Sequence, residues 1–71
     1  MPHVQETLED RIHVIATHCE GEEHVLTFGF DPQATCWFSR IEDMRSGAEI
    51  MEFTDDTFEG AVCAMEAYLE L

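Results

Sequence analysis

Four short segments of the chain are predicted to be β-strands, and in the first two of them apolar and polar residues alternate with the period of two that is typical of strands. The segments are residues 10–18, 24–30, 35–42 and 48–53. In the first segment Ile12, Val14 and Ala16 fall on one side of an extended chain, which predicts a half-buried strand. The second segment repeats the pattern with Leu26, Phe28 and Phe30. We therefore expect a sheet of about four strands.

Residues with strong turn preferences separate these segments. Gly21 lies within the acidic sequence CEGEE, and Gly47 follows the third segment. Glycine adopts the positive φ that a tight connection needs, and Asp31 before Pro32 is typical of a type I turn. Because the connections are short, consecutive strands are expected to pair as an antiparallel meander.

A helical spacing of apolar residues replaces the alternation after residue 54. The residues on one helical face are Phe58, Ala61, Val62, Met65, Tyr68 and Leu69. Phe58 and Met65 lie at the centre of this face and are expected to be buried. Thr54 or Asp56 can cap the helix, and Asp56 with Glu59 matches a capping box. The sequence thus predicts an α+β fold in which one C-terminal helix packs on one face of a four-stranded meander, as a single domain over residues 1–71.

The second face of such a sheet is expected to lack a covering helix. Trp37, Ile15 and Val25 are the apolar residues predicted there, although the pattern leaves open which of Trp37 and Phe38 points inward. An exposed apolar patch on a small domain commonly marks an interface. We therefore expect either a homodimer or an apolar contact with a partner protein.

The charge of the chain adds a functional argument. Sixteen Asp and Glu residues face three Arg and no Lys, which gives a net charge of -13. Such a field repels nucleic acid and anionic membranes and attracts basic proteins. Solubility or adaptation to high salt would also explain the charge, and composition does not choose between these explanations.

Size and targeting signals exclude several classes of protein. A chain of 71 residues leaves little room for an enclosed active site. No apolar run is long enough for a membrane span, and the start MPHVQETLED has neither the basic nor the hydrophobic region of a secretory signal, which predicts a cytoplasmic protein. The three cysteines are odd in number and widely spaced, so free thiols are expected.

Motifs for catalysis or cofactor binding are not found in the sequence. There is no nucleophile elbow, phosphate-binding glycine loop or cysteine-protease signature, so neither an enzyme nor a cofactor is predicted. His18, Cys19 and His24 flank the first predicted hairpin turn, but their spacing is not that of a zinc site. No metal site is predicted, and whether these three residues bind a metal stays open at this point.

The C-terminal helix carries charges that its own stability does not require. Glu66 and Glu70 are like charges four residues apart, near a helix end where the macrodipole favours cations. A row of carboxylates can present to a basic protein roughly what a phosphate backbone presents. The predicted partner-binding residues are Glu49, Glu52, Asp55, Asp56, Glu59, Glu66 and Glu70.

The segment TDDTFEGAVCAMEAYLEL, preceded by predicted strands, resembles the N-terminal domain of HicB-type antitoxins. The matching positions are Thr57, Glu59, Ala61 and residues 68–70, and the resemblance spans roughly the last two thirds of the chain. In size, acidity and predicted architecture the chain is also similar to phage-encoded anti-CRISPR proteins. Both resemblances imply an acidic module that docks on a basic nucleic-acid-handling protein.

We therefore expect a small acidic inhibitor that occupies a basic nucleic-acid-binding surface of a partner protein, without binding nucleic acid or membrane itself. The alternative is a structural or oligomeric domain whose acidity serves only solubility or salt adaptation. A partner that is retained through the acidic residues would distinguish the first hypothesis from the second.

Overall fold

The computed structural model describes residues 6–71 of the chain. Its elements are α1 (Leu8–Gly21), β1 (His24–Asp31), β2 (Cys36–Asp43), β3 (Glu49–Asp55) and α2 (Phe58–Leu69). The three strands form one antiparallel sheet in the order β1-β2-β3. The α+β class, the meander and the C-terminal helix are confirmed, whereas the described chain has three strands and two helices instead of four strands and one helix.

The first predicted strand is wrong, because residues 10–18 lie within α1. Thr7 caps this helix: its hydroxyl accepts from the backbone N–H of Asp10, and the Asp10 carboxylate accepts from the backbone N–H of Thr7. This capping box marks a helix start. The buried side of the helix follows the helical spacing of Leu8, Ile12, Ile15 and Cys19. Val14, which the alternation placed among the buried residues, is 47% exposed.

Both helices pack on the same face of the sheet. Helix α2 lies mainly over β2 and β3, and α1 lies beside it against β1. The core consists of Ile15, Cys19, Ile41, Val62 and Met65. The hydroxyl of buried Ser39 donates to the carbonyl oxygen of Ala61 at 2.9 Å, which ties β2 to α2. Burial of Met65 is confirmed, whereas Phe58 is only half-buried.

The strand register decides which residues face the helices. Ile41, which is buried, pairs with Leu26 on one side and Met51 on the other, so these three residues share the covered face. Successive side chains point to opposite faces. The uncovered face, called the open face below, therefore carries Val25, Thr27 and Gly29 from β1, Cys36, Phe38, Arg40 and Glu42 from β2, and Glu52 and Thr54 from β3.

Two of the three residues predicted on the open face lie elsewhere. Ile15 is fully buried in the core, and the Trp37 ring packs edge to face against Phe58 of α2 at 5.3 Å between ring centres. Trp37 therefore points to the helices and Phe38 points away from them. Val25 does lie on the open face, where it is 42% exposed.

The N-cap of helix α2 lies one residue after Asp56 and three residues after Thr54, the two caps that the sequence predicted. The hydroxyl of its N-cap, Thr57, accepts from the backbone N–H of Gly60 at 2.9 Å. The Asp55 carboxylate in turn accepts from the backbone N–H and the hydroxyl of Thr57, both at 3.0 Å. The predicted caps, Thr54 and Asp56, and the predicted capping box are therefore wrong.

Two of the three predicted turns are confirmed, and the third is the end of a helix. Asp31 accepts from the backbone N–H groups of Gln33 and Ala34 in the turn after β1, and Gly47 adopts a φ of 73° in the turn after β2, both as expected. The CEGEE segment instead ends α1, and Glu23 adopts the left-handed conformation at a φ of 59°. None of the helices in residues 6–71 has the length and apolar character needed to span a bilayer.

Candidate functional site

Arg11 connects the two helices. Its Nε donates to Oε2 of Glu66 at 2.9 Å, and its Nη2 donates to the other oxygen of the same carboxylate. Nη1 also lies 3.5 Å from a carboxylate oxygen of Glu59. Hydrogen bonding to the Arg11 guanidinium lowers the pKa of Glu66, and hydrogen bonding to Glu66 raises the pKa of Arg11. This bidentate pair is the principal polar contact between α1 and α2.

The Arg11 pair changes the interpretation of the C-terminal charges. Within α2 alone Glu66 has no basic neighbour, which was the reason to suspect a binding role. The structure supplies a base from a segment that the sequence pattern assigned to a strand, so the unfavourable position of Glu66 in its own helix is offset by a tertiary contact. Seven helical positions separate Glu59 from Glu66, which places them on the same side of α2, and Arg11 lies between them.

Arg40 has the corresponding role on the open face. Its Nε and Nη2 both donate to Oε1 of Glu52, at 2.8 and 2.6 Å, and Nε lies 3.5 Å from a carboxylate oxygen of Glu49. The guanidinium carbon lies 4.7 Å from the centre of the Phe38 ring, a cation–π arrangement. Beneath the ring is Gly29, where an added Cβ would lie 2.6 Å from a ring carbon of Phe38.

Arg45 makes the most exposed of the arginine contacts. Its Nη2 lies 3.3 Å from a carboxylate oxygen of Glu23, and the two side chains are 82% and 62% exposed. A pair with this exposure contributes little to stability because water screens it. It does link the turn between β2 and β3 to the end of α1. All three arginines of the chain thus have acidic partners inside the same fold.

These pairs leave a large excess of negative charge. Five acidic residues lie within 4.0 Å of an arginine, namely Glu23, Glu49, Glu52, Glu59 and Glu66. All sixteen Asp and Glu residues lie within the described range. The eleven without such an arginine contact are Glu6, Glu9, Asp10, Glu20, Glu22, Asp31, Glu42, Asp43, Asp55, Asp56 and Glu70.

The seven predicted binding residues do not form one uninterrupted row. Glu49 and Glu52 lie on β3 beside Arg40, whereas Glu59 and Glu66 flank Arg11. Asp55, Asp56 and Glu70 complete the set at the two ends of α2. We define the α2 acidic surface as three exposed carboxylates at the start of this helix and along it: Asp56, Glu59 and Glu70.

A second concentration of acids was missed by the sequence analysis. Glu42 and Glu49 are directly opposite one another in the β2–β3 pairing, and His24 is opposite Asp43. The carbonyl of Glu23 accepts from the N–H of Met44 at 3.0 Å, which brings the end of α1 to the same corner. Like charges directly opposite in a sheet are destabilising. The acids of CEGEE and IED were visible in the sequence, but the incorrect first strand concealed their proximity.

Asp43 organises the turn at this corner. Its Oδ1 accepts from the backbone N–H groups of Ser46 and Arg45, at 2.9 and 2.8 Å. These bonds lower the pKa of Asp43 because they stabilise its ionised form. The carboxylate is therefore a turn-forming group as well as a surface charge.

A cleft of about 330 Å³ lies at the end of the open face, beside the turn between β1 and β2. Its lining residues are Phe30, Asp31, Pro32, Ala34, Cys36, Phe38, Arg40, Glu52 and Thr54. Apolar side chains therefore form much of the wall, while two carboxylates and one guanidinium supply charge. Such a combination suits a ligand that has both an apolar and a charged part.

The cysteine and histidine residues do not assemble a metal centre in the part of the chain that the structure describes, where no cluster of three His, Cys, Asp or Glu side chains could hold an ion. Cys19 is buried in the core, and burial raises the pKa of its thiol. Cys63 is exposed on α2, and its sulfur accepts from Nη2 of Arg11 at 3.0 Å. The described thiols Cys19, Cys36 and Cys63 are free.

Comparisons of the chain with models of protein families, with curated proteins and with solved structures give no match.

Proposed function

We propose that this chain is a small acidic inhibitor that binds the basic, nucleic-acid-binding surface of a partner protein and keeps nucleic acid away from it. The observation that carries the proposal is the internal pairing of Arg11, Arg40 and Arg45. Because every arginine already has an acidic partner in the fold, the remaining carboxylates present a negative field that a basic partner can neutralise.

The α2 acidic surface is the proposed centre of the contact. Asp56, Glu59 and Glu70 are exposed, so a partner can reach them without unfolding any element. Glu52 and Glu66 are half-buried and hydrogen-bonded to arginine, so their charges are largely offset. In this proposal those two residues hold the fold together, and Glu49 and Asp55 lie at the margin of the contact.

Competition with nucleic acid tests the proposal directly. The purified chain is immobilised and exposed to the soluble proteins of its native host, and retained proteins are eluted with duplex DNA or with RNA. The proposal expects a basic nucleic-acid-binding protein that nucleic acid displaces, with retention that weakens as salt screens the exposed charges. Retention of no protein that nucleic acid displaces would contradict it.

An oligomeric module is the second candidate, and one observation favours it. Val25 is 42% exposed on the open face, and half-buried Phe38 lies on the same face, so this face offers some apolar surface to a second copy. Repulsion between two chains that each carry a net charge of -13 opposes such pairing. Sedimentation equilibrium separates the candidates: a mass of twice 8.1 kDa in low salt would favour the oligomer.

A further inference from the structure

We propose that the cleft on the open face binds an arginine side chain of the basic partner. This inference rests on the proposed function and extends it, because it assigns a specific pocket to a specific kind of residue. The cleft is lined by residues of all three strands and of the turn after β1, and none of them belongs to the α2 acidic surface. The two surfaces can therefore be tested independently.

The shape and apolar wall of the cleft suit the aliphatic part of such a side chain. Its volume of about 330 Å³ is near the lower end of the range of about 300–1,000 Å³ for ligand pockets. Pro32, Cys36 and Phe38 contribute apolar atoms to the wall. Long cationic side chains bury their methylene groups against surfaces of this kind while the charged end reaches a polar group.

The two carboxylates of the cleft each keep one oxygen available. Oδ1 of Asp31 accepts from the turn amides of Gln33 and Ala34, and Oε1 of Glu52 accepts both bonds from Arg40. Within residues 6–71, no hydrogen bond reaches the second oxygen of either carboxylate. A guanidinium presents several N–H donors in a rigid plane, whereas an ammonium is a compact point charge. A guanidinium is also more weakly hydrated than an ammonium and is better suited to interface ion pairs, so a free carboxylate oxygen beside an apolar wall favours arginine over lysine.

The guanidinium already in the cleft does not convert it into an anion site. The charge of Arg40 is offset by Glu52 at 2.6 Å and by Glu49 at 3.5 Å, and the guanidinium also stacks on Phe38. Glu52 offsets the charge of Arg40, so Asp31 leaves the lining of the cleft with an excess of negative charge. An incoming cation is therefore favoured and a phosphate group is disfavoured.

A titration followed by NMR tests the ligand preference. The full-length ¹⁵N-labelled chain is titrated with N-acetyl-arginine N-methylamide, and in parallel with the citrulline analogue, which has nearly the same shape and no charge. We expect the arginine compound to shift the backbone amide signals of Cys36, Phe38 and Thr54, and the citrulline compound to leave them in place. Equal shifts with both compounds, or no shift with either, would overturn the inference.

Two substitutions with matched chemistry test the location. Asp31→Asn keeps a side-chain oxygen for the turn amides but removes the charge, and Asp43→Asn does the same in the turn outside the cleft. We expect Asp31→Asn to weaken binding of the arginine compound about fivefold, the effect of one exposed ion pair, and Asp43→Asn to leave it unchanged. Equal weakening by both would mean that only net charge matters and would overturn the inference.

A cleft-filling variant separates this inference from the proposed function. Thr54→Trp introduces a large side chain at an exposed position of β3 that lines the cleft, and Val25→Trp places the same group on the open face away from it. We expect only Thr54→Trp to abolish the arginine shifts and to weaken partner retention. If Thr54→Trp retains the partner as well as the unsubstituted chain does, the cleft inference fails and the proposed function stands. If the cleft binds arginine but no nucleic-acid-displaceable partner is retained, the proposed function fails.

Discussion

Arg11 and Glu66 are 55 residues apart in the sequence, and Nε of Arg11 donates to Oε2 of Glu66 at 2.9 Å. The arginine side chain is 23% exposed and the glutamate side chain 20%, so water screens this pair less than it screens the pair between Arg45 and Glu23. The bidentate geometry also fixes how α1 lies against α2. Glu66, which the sequence predicted to bind a partner, is thus bonded within the fold.

Removal of the Glu66 carboxylate should lower the stability of the fold more than removal of the exposed Glu59 carboxylate. We expect Glu66→Ala to lower the melting temperature by about 4–8 °C, since a loss of about 1 kcal/mol has that effect in a domain of this size. Glu59→Ala, which removes a carboxylate 66% exposed and 3.5 Å from Arg11, should lower it by about 2 °C or less. Equal effects in thermal unfolding would contradict the assignment of Glu66 to the fold.

The same pair predicts a dependence of stability on pH. Because the pKa of Glu66 is lowered in the folded chain, its stabilising effect is complete above the ordinary glutamate value of 4.5 and is lost as the pH falls through the folded pKa. The stability difference between the unsubstituted chain and Glu66→Gln, measured by chemical denaturation, should therefore close on acidification. In a chain that already carries Arg11→Gln, Glu66→Gln should change the free energy of unfolding little at any pH of the titration.

The sequence predicted helix α2 but not helix α1. The apolar spacing of α2 was read correctly because no other period competes with it. The sequence of α1 fits two periods. Ile12, Val14 and Ala16 match the period of two of a strand, whereas Ile12, Ile15 and Cys19 match the spacing of a helix. The capping signal at Thr7 and Asp10 decides in favour of the helix.

The candidate site could be predicted only in part, for a physical reason. Acidic composition is a property of the chain, but the neutralisation of a given carboxylate depends on which base the fold brings to it. Glu52 could be linked to Arg40 only once the register of β2 and β3 was known. Glu66 could be linked to Arg11 only once α1 was recognised as a helix. The cleft is lined both by the turn after β1 and by residues of β3, an arrangement that no local pattern encodes.

Gly60 offers a test of the start of α2. An added Cβ at Gly60 would overlap the Asp55 carboxylate, whereas an added Cβ at Gly21 meets nothing within 4 Å. Alanine normally stabilises a helix relative to glycine by about 1 kcal/mol. At Gly60 this gain is opposed by the loss of the bonds between Asp55 and Thr57. We expect Gly60→Ala to be less stable than Gly21→Ala by about 1 kcal/mol, and equal stabilisation in urea denaturation would argue against the Asp55 contact.

The apolar face of α2 should be sensitive to truncation in proportion to its burial. Met65 is fully buried, so Met65→Ala should cost about 2–5 kcal/mol. Phe58 is half-buried but contacts the rings of Phe28 and Trp37, and Phe58→Ala should cost about 2–3 kcal/mol. Tyr68→Ala, at a position 43% exposed, is the control and should cost less than either. Denaturation followed by circular dichroism measures all three, and an unchanged Phe58→Ala would show that the helix packs differently.

Reversal of charges on the α2 acidic surface tests whether this surface binds the partner. The variant must change the surface without disrupting the fold. Glu66 is therefore left intact, because its bidentate bond to Arg11 holds α1 against α2. Glu59 is 66% exposed and lies 3.5 Å from Arg11, so a lysine there can turn into solvent. The test variant carries Asp56→Lys, Glu59→Lys and Glu70→Lys, and the control carries Glu9→Lys, Glu20→Lys and Glu22→Lys. Both variants lose three negative charges and gain three positive ones, so the net charge changes from -13 to -7 in each. All six positions are exposed.

The most direct measurement is the affinity of these two variants for the nucleic-acid-displaceable partner, compared with the affinity of the unsubstituted chain in the same buffer. Because the α2 acidic surface is the proposed centre of the contact, the test variant should lose binding while the control variant retains most of it. Both variants should remain folded by circular dichroism. Equal affinities of the two folded variants would contradict the account, since net charge alone would then govern recognition.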